Sequence, residues 1–323
     1  MNIENTPLGI TQKTMSTLSG ISLSTINRII LKRGMQPLNF KGRYRYTIDD
    51  AREILKYCVA NKYRVGKKVQ SFYNFKGGVG KTSICFQVAA HIAFLGFKVL
   101  VVDADPQGHL TLALRIKNAA NVCTLYDAII GIKSIRDIIL PVFSGLDCIP
   151  SNLSLTRAEM TLNEMPKREE QVAALIEDIK DEYDFIFFDT NPTISYLNRN
   201  IITSSEMLNI VVETQAFSLY GINMLLSDIQ KFTAHMRIKM PEMIMIPNKY
   251  EYKAATSIEA MDFLLKNYPQ YLPNEVMVRK SEDFNIASKS SLPLALFCKE
   301  KSIALQDITS IINFILQKSC IKE

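Results

Sequence analysis

"YNFKGGVGKTSI" (residues 73–84) sets three glycines and two lysines within the seven residues from Lys76 to Thr82. That combination gives one short loop both backbone freedom and positive charge, the two properties a chain of phosphates asks of its binding loop. Strict G-x-x-x-x-G-K-[ST] spacing would put the first glycine at position 75, where the chain has Phe75. Read as K-G-G-V-G-K-T, the segment keeps Gly80, Lys81 and Thr82, moves the remaining glycines to Gly77 and Gly78, and places Lys76 in front. Glycines let backbone N–H groups converge on an anion. Lys81 would then reach the β- and γ-phosphates, and the Thr82 hydroxyl would ligate Mg²⁺. The flanks agree with this reading. "KVQSFYNF" (68–75) has the apolar, β-rich character of a buried strand, and the stretch from Thr82 carries apolar residues at 84, 88, 89, 92 and 95, a helical spacing. The N-terminus of that helix would point its dipole at the phosphates.

Composition bounds what else the chain does. With 323 residues, 47% apolar and 22% charged, it suits one large domain plus a small appendage. No run approaches the ~20 apolar residues of a membrane span, and "MNIENTPLGITQK" lacks the hydrophobic stretch of a signal peptide. The six cysteines (58, 85, 123, 148, 298, 320) form no C-x-x-C pair, and with three histidines a zinc cluster is not expected. They read as reduced thiols in a cytoplasm. Residues 1–70 hold 13 Lys and Arg against 4 Asp and Glu, an excess larger than the net +6 of the whole chain. That asymmetry points to an anionic partner for the N-terminal segment.

Beyond the glycine-rich loop, strands and helices alternate, the pattern of an α/β fold whose mostly parallel sheet is flanked by helices. "FKVLVVDADPQGHLT" (97–111), "YDFIFFDTNP" (183–192), "MLNIVVET" (207–214) and "EMIMIPNKY" (242–250) read as further strands. Ligands of such folds bind beyond the C-terminal ends of the strands. Asp103, Asp105, Asp189 and Asn248 are expected there, facing the loop.

This combination resembles the deviant Walker-A ATPases of the ParA/MinD type, from about residue 68 to the C-terminus. The resemblance rests on "KGGVGKT" (76–82), "VLVVDADPQG" (99–108), "YDFIFFDTNP" (183–192), "QAFSLYGINMLL" (215–226) and "RKSEDFNIASKSSLPL" (279–294). It implies a P-loop ATPase working with ATP, ADP and Mg²⁺. Lys76 resembles the signature lysine that crosses to a neighbouring subunit's nucleotide, so that ATP is sandwiched in a homodimer. Lys81 is similar to the P-loop lysine and Asp105 to the acid that positions or activates the attacking water, which makes Lys76, Lys81 and Asp105 the implied catalytic set. Thr82, Asp103 and Asp189 are the implied metal-holding residues. Gly77, Gly78, Val79, Gly80, Lys81, Thr82 and Ser83 form the implied nucleotide loop, with Asn248 similar to a residue reading adenine. After Asp189 the family often has two prolines, whereas this chain has Thr190 and Asn191 before Pro192.

Residues 1–65 read as a separate unit, a small all-α winged helix-turn-helix domain ahead of an ATPase domain at 66–323. "TQKTMSTLSGISLSTINRIILKRG" (11–34) suggests two short helices broken at Gly20, the second starting at Ser22 or Ser24. It would present Ser24, Thr25, Asn27, Arg28 and Lys32 to a major groove. "NFKGRYRYTIDDAREILKYCVANKYR" (39–64) resembles the winged module of MerR-like and ParA-like regulators, with Lys41, Arg43 and Arg45 on a basic hairpin reaching phosphates.

The expected function is therefore DNA partition. An ATP-bound dimer would coat nonspecific nucleoid DNA, with Arg279, Lys280 and Lys289 as candidate contacts, while a ParB-type centromere-binding partner stimulates hydrolysis and the N-terminal unit reads an operator. The competing reading is a MinD-like ATPase cycling on a membrane, which should end in a basic amphipathic helix. The C-terminal "ALQDITSIINFILQKSCIKE" has apolar positions at 308, 311, 312, 315 and 316 but few cations, which suits core packing and a protein without a membrane partner. A metabolic or metal-trafficking P-loop enzyme is a third reading, without a visible substrate or cysteine site.

Overall fold

Val69–Tyr73, Val99–Ala104, Phe185–Thr190 and Met207–Glu213 are buried at every position. Strands covered on both faces have no wet side to mark with polar residues, so they read as continuous apolar runs rather than alternating ones. The computed structural model describes residues 9–40 and 43–322; the side chains of residues 40, 43, 216–220 and 322 are not among those described. In chain order its elements are α1 (Gln12–Ser19), α2 (Leu23–Arg33), β1 (Leu38–Phe40), β2 (Arg43–Arg45), α3 (Ile48–Cys58), β3 (Tyr63–Val65), β4 (Val69–Tyr73), α4 (Lys81–Phe94), β5 (Val99–Ala104), α5 (His109–Ala113), α6 (Leu125–Ile129), β6 (Leu140–Phe143), β7 (Leu146–Ile149), α7 (Ala158–Glu164) and α8 (Gln171–Glu177). There follow β8 (Phe185–Thr190), α9 (Tyr196–Ser204), β9 (Met207–Glu213), α10 (Ala216–Met236), β10 (Glu242–Asn248), α11 (Ala255–Asn267), α12 (Glu282–Ser290), α13 (Ile303–Ser319) and β11 (Cys320–Lys322).

The main sheet has seven strands in the order β10-β9-β4-β8-β5-β7-β6. All pairs are parallel except β6 with β7 at one edge. Because side chains alternate along a strand, Val99 and Val101 lie on the face that α4 covers, in the same core as α13. Leu100 and Val102 meet the α6–α9 layer on the other, and Leu208, Ile210 and Val212 meet α10 and α11. The result is an α/β sandwich of a mostly parallel sheet between helices.

The N-terminal residues are not all-α: strands stand beside their helices, among them a hairpin in the segment where the sequence places one. α1 ends in left-handed Gly20, and α2 starts at Ser22, whose side chain accepts the Thr25 N–H. After α2 comes the antiparallel β1–β2 hairpin, then α3, whose N-cap Thr47 accepts from the Asp50 N–H. These elements share one apolar core with α4 and α13, running from Ile10 to Leu316. β3 pairs with β11, so residues 63–65 lie against the far end of the chain. The Arg52 guanidinium donates to the carbonyls of Gly96 (3.1 Å) and Phe97 (3.0 Å) on the turn before β5. Packing therefore runs without a gap across residue 65.

Candidate nucleotide site

Strands β4, β5, β8, β9 and β10 are parallel neighbours, so their C-terminal ends share one edge of the sheet. The glycine-rich loop leaves β4 there and turns into α4. Gly80, the residue before α4, sits at φ 98°. A Cβ on it would stand 2.3 Å from the Asn248 side-chain nitrogen. Gly80→Ala should accordingly lower unfolding stability by about 2–4 kcal/mol, adding left-handed strain to a clash. Chemical denaturation of the variant measures this, and an unchanged midpoint contradicts the close approach.

Lys81 opens α4 and is 6% exposed, with its ammonium donating to the Lys76 carbonyl at 3.3 Å. Burial draws its pKa below the ordinary lysine value, against the opposing pull of the Asp189 and Asp105 carboxylates. An incoming polyphosphate would add counter-charge to that of the two carboxylates. Thr82 and Ser83 stand half-buried beside it.

Asp103 and Asp189 are register partners on β5 and β8, and both are fully buried. Their environments differ. Asp103 accepts from the Asp105 N–H (3.2 Å), the Thr111 N–H (2.8 Å) and the Thr111 hydroxyl (2.7 Å), so its carboxylate is spent on shaping the turn after β5. Burial still pushes its pKa up to about 6, against those hydrogen bonds. Neither oxygen of Asp189 has a hydrogen-bond partner among the described residues. Burial, then the neighbouring Asp103 carboxylate, hold its pKa well above the usual range, with Thr82 and Lys81 as the nearby groups favouring charge. A buried carboxylate without a partner is costly, and a divalent cation or its water shell beside Thr82 removes that cost. The residues fit Mg²⁺, which keeps most of its waters and takes few protein ligands.

Asp105 is half-buried. Its Oδ1 accepts the Gln107 N–H at 2.9 Å, and its own N–H is held by Asp103. With Gly77, Gly78, Lys81, Thr82, Gln107 and Asn191 it lines a cavity of about 840 Å³. A second cavity of about 390 Å³, sharing Gly80 and Ser83, lies between the ends of β9 and β10 and the start of α12. Together the two offer a polyphosphate channel and an adjoining compartment.

The other sequence-predicted residues fall as follows. Lys76 carries its ammonium on Glu213 Oε2 at 3.1 Å. Asn248 lines the second cavity, but its amide is already engaged: Nδ2 donates to the Val79 carbonyl (2.6 Å) and Oδ1 accepts the Lys249 N–H (2.8 Å). In this structure its amide braces the loop. Ser24, Asn27, Arg28 and Lys32 are exposed on α2, and Thr25 is half-buried. Lys41 lies outside the described residues, and of Arg43 only the backbone, in β2, is described. Arg45 departs from the sequence reading: it is buried, and its guanidinium donates to the carbonyls of Gly9 (2.8 Å) and Leu296 (2.7 Å), which makes it a tether between the hairpin and the α/β core instead of a phosphate contact. Arg279 likewise is engaged with Asp307 through Nε and Nη2. Lys280 is exposed and pairs with Glu251 at 2.9 Å, and Lys289 is exposed in the last turn of α12. Sequence reasoning missed Glu213 and Lys249. Their only signal was position, one closing β9 and the other following β10.

The family model for an AAA domain, AAA_31, matches residues 67–241. The chain is 29% identical over 277 residues to the cell division protein PomZ of Myxococcus xanthus, covering 84% of this chain and 85% of PomZ. It is 34% identical over 170 residues to the sporulation initiation inhibitor protein Soj of Bacillus subtilis, covering 52% of this chain and 67% of Soj. Among solved structures, an ATP complex of an alanine variant of Cyanothece McdA superposes with a TM-score of 0.71 at 20% identity, covering 80% of this chain and 98% of that one.

Proposed function

Because the chain belongs to the AAA_31 family and is a ParA-type ATPase, with ATP, ADP and Mg²⁺ as its ligands, we propose that it is a DNA partition ATPase. In this reading ATP binding sandwiches the nucleotide in a homodimer, the dimer holds nonspecific nucleoid DNA in the cytoplasm, and a ParB-type centromere-binding protein stimulates hydrolysis. The N-terminal elements read an operator. The observation that carries the DNA-reading part is the exposed face of α2, where Ser24, Asn27, Arg28 and Lys32 surround an exposed Leu31, held in fixed relation to the ATPase core by Arg45, Arg52 and the β3–β11 pair.

Bound Mg²⁺ and ATP supply the scissile γ-phosphate and the metal that neutralises it. The chain's own residues position and screen that charge, which is most of what phosphoryl transfer needs. Loop N–H groups and Lys81 hold the β- and γ-phosphates, while Thr82 and Asp189 hold the metal or its waters. Asp105, fixed through its backbone by Asp103, orients the attacking water. Lys76 leaves Glu213 to reach the partner subunit's nucleotide. Leu112, Leu153 and Ile194 are exposed apolar side chains on segments around the cavity mouth, and a second copy of the chain would cover them.

Against the membrane-cycling alternative, Ile308, Ile311, Ile312 and Ile315 of α13 are fully buried, so the apolar face that a membrane would need is spent on the core. No helix among the described residues is long and apolar enough to cross a membrane.

Operator reading is tested by gel-shift titration of the full chain, since the shared core rules out a clean truncation. Asn27→Ala and Arg28→Ala should each weaken operator binding by about 1–3 kcal/mol, the worth of a good base contact, and leave random-duplex binding within a few-fold of wild type. Equal losses on operator and random DNA would remove α2 as the reader.

A further inference from the structure

The geometry points to Asn248 and Lys249, at the end of β10, as positioning residues for the phosphate cradle: they turn the loop's carbonyls outward and so aim its N–H groups inward. The inference rests on residues 76–82 being that cradle. Lys249 Nζ donates to the Gly78 carbonyl at 2.8 Å, and Asn248 Nδ2 donates to the Val79 carbonyl at 2.6 Å. A trans peptide is planar, with its C=O and the following N–H pointing in opposite directions. Fixing the carbonyls of Gly78 and Val79 therefore fixes the N–H groups of Val79 and Gly80 toward the other side of the loop, where an anion would sit. Gly78 and Gly80 both hold left-handed φ angles (74° and 98°), so this stretch has wide backbone freedom that local chain preference does not settle.

The brace is itself held. Glu213 Oε1, closing β9, accepts from Lys249 Nζ at 2.9 Å, while its Oε2 takes Lys76 at 3.1 Å. Lys249 adopts a left-handed backbone (φ 58°), unfavourable for a residue with a Cβ, in the conformation that carries its ammonium to Gly78. Asn248 lies so near Gly80 that only glycine leaves room for it. β10 is two strands from β4 in the sheet, so these contacts tie the loop to an element that local sequence would not connect with it. Lys81 and Lys249 both place an ammonium on a loop carbonyl, that of Lys76 at 3.3 Å and that of Gly78 at 2.8 Å, but only Lys249 is also paired with Glu213.

The test is equilibrium binding of ATP, GTP and inorganic tripolyphosphate to the full chain carrying Asn248→Ala, Lys249→Met or Lys249→Arg. Loss of a charge-assisted or buried hydrogen bond that orients the cradle should weaken all three ligands alike by about 10-fold in the first two variants, and Lys249→Arg should stay within about 3-fold of wild type. The loss in Lys249→Met should persist in 1 M salt, roughly the point where the Debye length falls to 3 Å and a mere long-range field effect is screened. Asn248→Ala that weakens ATP while tripolyphosphate binds as in wild type makes Asn248 a base reader and overturns the inference. So does wild-type tripolyphosphate binding by Lys249→Met, which is half-exposed and should fold. Lys81→Ala runs alongside: if it too binds tripolyphosphate normally, the cradle assignment itself is wrong, whereas its failure beside normal Asn248 and Lys249 variants overturns only the positioning role.

Discussion

Lys81→Ala loses ATP binding by about 100-fold or more, the equivalent of roughly 3 kcal/mol for charge-assisted bonds to phosphate. The size of the effect follows from where the ammonium sits. At 6% exposure it is already desolvated, and burial lowers its pKa against the pull of Asp189 and Asp105, so the charge of a bound phosphate chain would favour the ammonium form. Removing it leaves the nucleotide's phosphates facing Asp103, Asp105 and Asp189 with much less compensation. The loss should appear in the dissociation constant of labelled ATP measured without turnover. Wild-type affinity would detach the glycine-rich loop from the nucleotide site.

Asp105→Ala separates binding from chemistry. It should bind ATP within a few-fold of wild type and hydrolyse it about 10²–10⁴-fold more slowly, the range over which positioned general bases act. Asp105 borders the cavity but is not part of the loop, and its removal leaves Asp103, Thr111 and Asp189 in place. The pre-steady-state burst and steady-state phosphate release of the variant provide the measurement. Hydrolysis at the wild-type rate would take Asp105 out of the mechanism, and a collapse of ATP affinity would make it a binding residue.

What the sequence made legible was local. Continuous apolar runs ending in polar residues marked five of the seven main-sheet strands, because strands buried on both faces have no other composition open to them. Three glycines and two lysines in seven residues marked the loop, since few other tasks need that mixture. β6 was missed because it is an antiparallel, largely half-exposed edge strand, and β7 because its short run is broken by the polar Asp147, so no continuous run announces either. Nothing local could reveal that residues 63–65 pair with residues 320–322. Arg45 misled for a related reason: Arg43 and Arg45 look equivalent in a basic hairpin, and only the tertiary fold places one guanidinium on two carbonyls of distant segments. Asn248 was found at the right edge of the sheet, but the direction of its amide depends on how Gly80 turns beneath it. Glu213 and Lys249 were invisible because their meaning lies in each other and in the loop between them and Lys76, groups far apart in sequence.

Sedimentation velocity of the Asp105→Ala chain with a labelled random-sequence duplex, in Mg²⁺ with ATP and in Mg²⁺ with ADP, decides whether the nucleotide is sandwiched in a DNA-holding dimer. With hydrolysis suppressed, ATP should give a dimer that travels with the DNA, and adding Lys76→Ala should return it to a monomer free of DNA, as ADP does. A chain that binds the duplex equally in both nucleotides, or that dimerises in ATP without needing Lys76, contradicts the ATP-sandwich partition mechanism.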